Sequence, residues 1–151
     1  MYPGGDRMKK PKLLGVDYGD ARTGLAYSDD LWITSVGAGT FKSYDIVKTA
    51  VTVAEKAKEI GAEIIVIGKP LNMDGTEGFR VDRVYQFAEE LKKVTDIPLE
   101  FIDERRTTIQ AYNILDELGT YGKKRKNAID TLSAEIILQS YMDKNKRKYE
   151  E

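Results

Sequence analysis

The feature that most constrains the fold is a continuous apolar run, Ile64-Ile65-Val66-Ile67, which ends at Gly68. A strand with one face in water alternates apolar and polar residues, whereas this run is apolar at every position. It is therefore typical of a parallel strand that is covered on both faces. The run predicts an α/β fold in which this strand lies near the middle of the sheet.

The rest of the chain supplies the other elements of such a sheet. Three apolar segments precede the run, and the tight turn between the first two predicts an antiparallel meander. Apolar residues then recur at helical spacing after Asp45, and Gly61 stands where a helix C-cap belongs. We predict a five-stranded mixed sheet in the element order β-β-β-α-β-α-β-α-α, with helices on both faces. The strands are expected at residues 12–18, 23–28, 33–41, 63–68 and 98–102, and the helices after Asp45, around 84–91, over 107–118 and from near Asn127.

Length and composition indicate one domain. A chain of 151 residues can build one sizeable core but not two ordinary domains. We assign residues 1–7 to a leader or cloning remnant and residues 8–151 to a single domain. The absence of Cys and of any signal-peptide or membrane-span pattern predicts a cytoplasmic protein with no membrane partner. Because 24 Lys and Arg face 25 Asp and Glu, a nucleic-acid partner would need a local basic patch.

The chain contains neither His nor Cys. This excludes Ser-His and Cys-His nucleophiles, typical zinc sites and imidazole general bases. An enzyme of this composition has to rely on oxygen ligands. Carboxylates bind hard cations such as Mg²⁺ or Mn²⁺, so metal-assisted chemistry, including a two-metal site, is the natural candidate.

Acidic residues stand at the ends of the predicted strands. Asp17 leaves the first strand for the turn at Gly19, and Asp103 and Glu104 follow the fifth strand. If the fourth strand lies between these two, their backbones are about 10 Å apart at ordinary strand spacing, and the acids could share bridging metals. Asp130 is expected in the first turn of the last helix, on its packing face.

Basic residues near these acids are candidates for binding substrate phosphates. We expect residues 119–126 to form a flexible loop that carries a charge run to the mouth of the site, where its contribution would weaken with salt. Tyr18 could stack on a base, but a tyrosine at a strand end more often belongs to the core. The predicted nucleic-acid-binding residues are Arg22, Lys69, Arg105, Arg106, Lys123, Lys124, Arg125 and Lys126.

Four segments together resemble one family. They are Gly15-Val16-Asp17-Tyr18-Gly19 with Arg22-Thr23-Gly24, Gly68-Lys69-Pro70-Leu71-Asn72, Asp103-Glu104-Arg105 with Thr107-Thr108, and Asn127-Ala128-Ile129-Asp130 leading into Ala134-Ile137-Leu138-Gln139. Within the ribonuclease H-like nucleases and resolvases, this set is similar to the bacterial YqgF-like family. Members of that family carry assignments as pre-16S ribosomal RNA nucleases and as Holliday junction resolvases. The resemblance covers nearly everything after Met8.

The resemblance implies metal-dependent cleavage of a phosphodiester bond. Asp17, Glu104 and Asp130 match the family's three acidic positions and would be both the catalytic and the metal-binding residues. The cation would be Mg²⁺ or Mn²⁺. Related resolvases carry an acid at the end of the fourth strand, where this chain has Gly68, so Glu104 would have to replace it. Asp103 is the alternative middle ligand.

The expected function is 5′ processing of precursor 16S rRNA during ribosome biogenesis, with the ribosome as a further candidate partner. The alternatives are a Holliday junction resolvase acting on branched DNA and a non-catalytic RNA-binding maturation factor. A resolvase should be a two-fold dimer, whereas a trimming nuclease could be a monomer. A strand, an Asp and a Gly-rich turn also open the actin-like phosphotransferases, but 151 residues cannot supply their second domain.

Overall fold

The computed structural model describes residues 9–72, 74–104, 114 and 123–149. Within these residues a meander of three strands comes first, and two further strands and three helices longer than ten residues follow it. The elements are β1 (Leu13–Asp17), β2 (Arg22–Ser28), β3 (Ser35–Lys42), α1 (Ile46–Ile60), β4 (Ile64–Lys69), α2 (Phe79–Lys92), β5 (Leu99–Asp103) and α3 (Lys123–Asn145), with a short 3-10 helix at Lys146–Tyr149. The predicted helix over 107–118 lies outside the described residues except for Ile114, which is helical.

The five strands form one mixed sheet in the order β3-β2-β1-β4-β5. β1 pairs antiparallel with β2 and parallel with β4, and β4 pairs parallel with β5. The predicted meander and mixed sheet are confirmed, and β4 lies between β1 and β5 as expected. The C-terminal ends of three parallel strands therefore meet at one edge of the sheet.

Each face of the sheet has its own core, and β4 contributes to both. Ile65 and Ile67 pack with α1 and α2 on one face. Ile64 and Val66 pack with α3 on the other. Because successive side chains of a strand alternate between faces, a strand covered on both sides must be apolar at every position. This is the physical reason for the apolar run in the sequence.

Helix α1 begins and ends where the sequence predicts. The side chain of Asp45 accepts hydrogen bonds from the backbone N–H groups of Val47 and Lys48, which is the usual N-cap arrangement. Gly61 adopts a φ of 72° and closes the last turn with hydrogen bonds to Ala57 and Lys58. The Asp45 cap fixes the end of the segment that joins β3 to α1, and the Gly61 cap fixes the turn towards β4.

The last helix differs from the prediction. It begins at Lys123 rather than near Asn127, so the charge run at 123–126 forms its first turn and is not a loop. Lys and Arg are good helix formers, and no Gly or Pro follows Gly122 to interrupt the helix. Asp130 consequently lies about two turns into α3 rather than in its first turn. No helix in the described part of the chain is long and apolar enough to cross a membrane.

Candidate active site

Two of the predicted acids meet at the C-terminal edge of the parallel strands. Asp17 is the last residue of β1, and Glu104 directly follows β5, where its backbone N–H donates to the carbonyl oxygen of Lys69 at 3.0 Å. The side chains of both acids lie on the face of the sheet that α3 covers, and their carboxyl groups share a hydrogen bond. The sheet therefore joins two acids that are far apart in the sequence.

Gly68 makes room for Glu104. A Cβ atom at Gly68 would lie 2.9 Å from Cδ and 3.1 Å from Oε1 of Glu104. The carboxyl group of Glu104 thus occupies the space that a side chain at the end of β4 would fill. This position is the one at which related resolvases were expected to carry an acid, so the chain places a carboxyl there from the neighbouring strand.

Asp103 and Glu104 are not equivalent in this geometry. Ile102 packs in the core beneath α3, whereas Phe101 contacts the ring of Tyr85 on α2. Since side chains alternate along a strand, Asp103 falls on the α2 side together with Phe101, and it is exposed. Only Glu104 of this pair faces Asp17.

Asp130 reaches the same region because α3 approaches the sheet closely at Gly24. Gly24 pairs directly with Asp17 across β1 and β2. A Cβ atom at Gly24 would overlap the backbone carbonyl of Asp130. Only a glycine allows this approach, which brings Asp130 close enough to Asp17 for their charges to interact.

Arg22 is the counterion of Asp130. Its Nε atom lies 3.0 Å from Oδ2 of Asp130, and the two side chains are 35% and 18% exposed. Oδ2 is buried, and apart from this ion pair it has no hydrogen-bond partner within the described residues. Burial raises the pKa of Asp130, and the charges of Arg22 and Lys42 partly oppose that rise.

Burial and mutual repulsion raise the pKa values of Asp17 and Glu104. For Asp17 the largest cause is burial, followed by the negative charge of Asp130. For Glu104 burial again comes first, followed by the charge of Asp17. Arg80 lowers both pKa values through its positive charge. The two carboxyl groups therefore retain a shared proton to a higher pH than isolated acids do.

A cleft of about 210 Å³ opens over Asp17 and Asp130. Its lining includes two residues that the sequence analysis did not single out, Arg80 and Ser133. Arg80 stands in the first turn of α2, where a positive charge opposes the helix dipole, and this unfavourable placement is the signal that could have drawn attention to it. The cleft is lined by Asp17, Tyr18, Gly19, Arg22, Arg80, Ile129, Asp130 and Ser133.

The predicted phosphate-binding residues have different outcomes. Arg22 lines the cleft. Lys69 instead reaches towards α2 and the loop before it, where its ammonium group lies 3.3 Å from the hydroxyl of Tyr85 on the helix and 3.5 Å from Glu77 in the loop. Arg105 and Arg106 lie outside the described residues. For residues 123–126 the structure describes the helical backbone but not the side chains, so their predicted phosphate contacts stay a prediction.

Tyr18 belongs to the core. It is 6% exposed, and its ring stacks on that of Phe87 with the ring centres 4.6 Å apart. The preference for a core role over base stacking is therefore confirmed. Within the described residues, no three acidic side chains lie close enough together to form a ready metal site. Asp17 and Glu104 are in contact, but Asp130 is paired with Arg22.

The fold is that of the ribonuclease H-like resolvases. The chain superimposes on Thermus thermophilus RuvC in complex with a Holliday junction substrate with a TM-score of 0.54 and 11% identity, over 89% of this chain and 96% of that one. The fowlpox virus Holliday junction resolvase gives a TM-score of 0.53 and 13% identity, over 88% and 99% of the two chains. At such low identity these similarities establish the fold class and nothing finer.

The family follows from the sequence. The family model RuvX, described as Holliday junction resolvase, matches residues 11–144, and the chain belongs to this family. A relative from Ruminiclostridium cellulolyticum, named "Putative pre-16S rRNA nuclease", is 40% identical over 134 residues, which are 88% of this chain and 94% of that protein. One from Endomicrobium trichonymphae with the same name is 41% identical over 133 residues, 87% and 95% of the two chains. The predicted YqgF-like resemblance is confirmed, and the protein is a nuclease, a hydrolase of phosphodiester bonds.

Proposed function

We propose that this nuclease is a cytoplasmic, divalent-metal-dependent endonuclease that acts in 5′ maturation of precursor 16S rRNA. The observation that carries the proposal is the hydrogen-bonded pair of Asp17 and Glu104 at the strand edge, with Asp130 beside it. Its near full-length relatives carry the name of pre-16S rRNA nucleases at about 40% identity, which supports this substrate.

The residues present fit a hard divalent cation. All three side chains offer carboxylate oxygens, the donors that Mg²⁺ and Mn²⁺ prefer. Two of them are forced together at a cost that a cation would relieve, and Oδ2 of Asp130 is a buried oxygen whose one partner within the described residues is the ion pair with Arg22. We therefore assign metal binding to Asp17, Glu104 and Asp130. A bound cation would polarise the scissile phosphate and lower the pKa of the attacking water.

The chain's own residues position the substrate. Asp17 and Glu104 must release their shared proton before they act as anionic ligands, and Arg80 favours that release through its charge. Arg22 and Arg80 line the same cleft as Asp17 and provide guanidinium groups that can hold phosphate oxygens in bidentate fashion. Arg22 pairs with Asp130 at 3.0 Å, and a substrate phosphate could replace Asp130 as its partner.

The test is a side-by-side cleavage assay on precursor 16S rRNA and a four-way DNA junction, with Mg²⁺, Mn²⁺ or EDTA. We expect metal-dependent cleavage of the RNA that Asp17→Asn and Glu104→Gln abolish, while Asp103→Asn keeps most of the activity. Equal residual cleavage by wild type and both of these inactive variants would refute the proposal. Intact RNA binding without any cleavage would favour a non-catalytic maturation factor.

A Holliday junction resolvase is the second candidate function. The description of the family model that matches residues 11–144, Holliday junction resolvase, favours it. Preferential cleavage of the four-way junction, together with a two-fold dimer in solution, would support it over RNA processing. A monomer that cleaves only the RNA would exclude it.

A further inference from the structure

A second pocket lies beside the acidic cleft, on its β2–β3 side. It has a volume of about 350 Å³ and is lined by Ala21, Arg22, Lys42, Ser43 and Tyr44. Arg22 lines both this pocket and the cleft that contains Asp17, so the two are adjacent. Lys42 pairs with Arg22 across β2 and β3, and its charge acts on Asp130. The pocket is thus positioned to take the part of a substrate that flanks the scissile bond.

Tyr44 combines an exposed side chain with a fixed backbone. Its side chain is 88% exposed, and its ring has no aromatic partner within the described residues. The flanking residues are held on both sides. The N–H of Ser43 donates to the carbonyl of Ala21 at 3.0 Å, and Asp45 caps α1. Exposing a large aromatic ring has no benefit for folding, so a ring on such a rigid support is suited to stacking on a ligand.

The charges next to Tyr44 suit a phosphate. Lys42 has no salt bridge within the described residues, and Arg22 has only Asp130 as an acidic partner there. The combination of a cationic pair and an exposed aromatic ring is the arrangement by which proteins hold single-stranded nucleic acids. A base inside a duplex does not offer its face, because its neighbours already stack on it.

We propose that Tyr44, Lys42 and Arg22 form a subsite for one unpaired nucleotide next to the scissile phosphate, with the base stacked on Tyr44 and its phosphate held by Lys42 and Arg22. The inference rests on the proposed nuclease function and adds to it that the substrate is single-stranded at this position. RNA and DNA strands differ in their sugar, and the test compares the binding of both.

The test measures binding in EDTA, where metal-dependent cleavage does not occur. The probes are single-stranded RNA and DNA oligonucleotides of one sequence that contain the fluorescent base 2-aminopurine, together with the matching duplexes. We expect Tyr44→Ala to weaken single-strand binding about 10-fold and to abolish the quenching of the fluorescent base. Tyr44→Phe retains both, because the ring remains. Lys42→Ala should reduce the slope of the logarithm of the binding constant against the logarithm of the salt concentration by about the amount expected for one phosphate contact.

Ile33→Ala is the matched control, since Ile33 is an apolar side chain that is 65% exposed and precedes the other end of β3. It should bind as the wild type does. The subsite is refuted if the wild type does not bind single strands or if Tyr44→Ala binds them normally. It is also refuted if Tyr44→Ala weakens binding to duplexes as much as binding to single strands. If the wild type cleaves in a metal-dependent way and Tyr44→Ala has no effect on binding, the subsite is refuted and the proposed nuclease function stands. Tyr44-dependent binding without any cleavage would refute the nuclease but keep the subsite.

Discussion

The carboxyl group of Glu104 lies against Gly68, with its Cδ atom 2.9 Å from the point where a Cβ of residue 68 would stand. One strand thus supplies the carboxyl and its neighbour supplies the space. The two positions are alternative sources of the same functional group. An acid can stand at the end of β4 or reach that place from β5, but not both.

This relationship predicts that the acid can be moved between strands. Glu104→Ala should reduce cleavage more than about 100-fold, since loss of a ligand exceeds the usual effect of losing a residue that supports one. Adding Gly68→Asp to that variant should restore part of the activity, because the space left by Glu104 accepts the new side chain. The δ-methyl group of Ile137, 2.7 Å from the new Cβ, has to shift.

Gly68→Asp alone is the control for this swap. In the presence of Glu104 the new side chain has no room, so this single variant should be less active than the wild type. Cleavage rates under saturating Mg²⁺ measure all three variants. A double variant as inactive as Glu104→Ala would show that the β4 end cannot support the reaction.

Gly24 sets the distance between α3 and the sheet. Gly24→Ala places a methyl group on the backbone carbonyl of Asp130, and a backbone cannot turn away as a side chain can. We expect a loss of about 3 kcal/mol in the free energy of unfolding and a melting temperature lower by about 5 to 10 °C. Thermal melting measures the effect. Gly78→Ala, whose Cβ would meet the exposed side chain of Asn72 at 3.2 Å, should lower the melting temperature less than Gly24→Ala, by the small cost of an alanine at the N-cap of α2.

The raised pKa values of Asp17 and Glu104 predict how the stability of the metal-free protein depends on pH. In the unfolded chain these carboxyls ionise near pH 4, whereas in the folded chain they keep protons to higher pH. Between the two pKa values the folded state binds more protons, so the free energy of unfolding falls as pH rises. The slope is at most about 1.4 kcal/mol per pH unit for each proton retained.

Chemical denaturation in EDTA from pH 4 to pH 8 measures this dependence. Glu104→Gln should lose stability less steeply than the wild type over this window, and a saturating divalent cation should remove the loss above pH 6 in the wild type. Glu89→Gln, on the exposed surface of α2, controls for the change of charge. Parallel curves for wild type and Glu104→Gln would contradict the assigned burial of this pair.

Arg80 acts on the site through its positive charge and through the planar, bidentate geometry of its guanidinium group. Removing its charge in Arg80→Ala raises the pKa values of Asp17 and Glu104 further, so the acid limb of the pH–rate profile should move to higher pH. Arg80→Lys should restore the position of this limb but not the full substrate affinity, because lysine lacks the bidentate fork. Arg83 pairs with Asp20 at 3.0 Å, so Arg83→Ala serves as the control and should leave the acid limb in place.

Some features of the protein could be predicted because local patterns specify them. The apolar run in β4, the Asp45 and Gly61 caps and the acid after β1 each have a short-range physical cause. The start of α3 could not be predicted in this way, because a run of Lys and Arg suits both an exposed loop and a helix. Arg80, Lys42 and Tyr44 carry no motif, and their roles depend on neighbours from other strands and helices.

By itself, the sequence determined the order of strands and helices, the oxygen-based chemistry of a chain without His or Cys, and the positions of its acids at strand ends. Only the tertiary structure decided which of those acids meet. The alternation of side chains along β5 turns Glu104 towards Asp17 and Asp103 away from it. The missing side chains at Gly24 and Gly68 then allow α3 and Glu104 to approach, and this packing is a property of the folded sheet rather than of any local pattern.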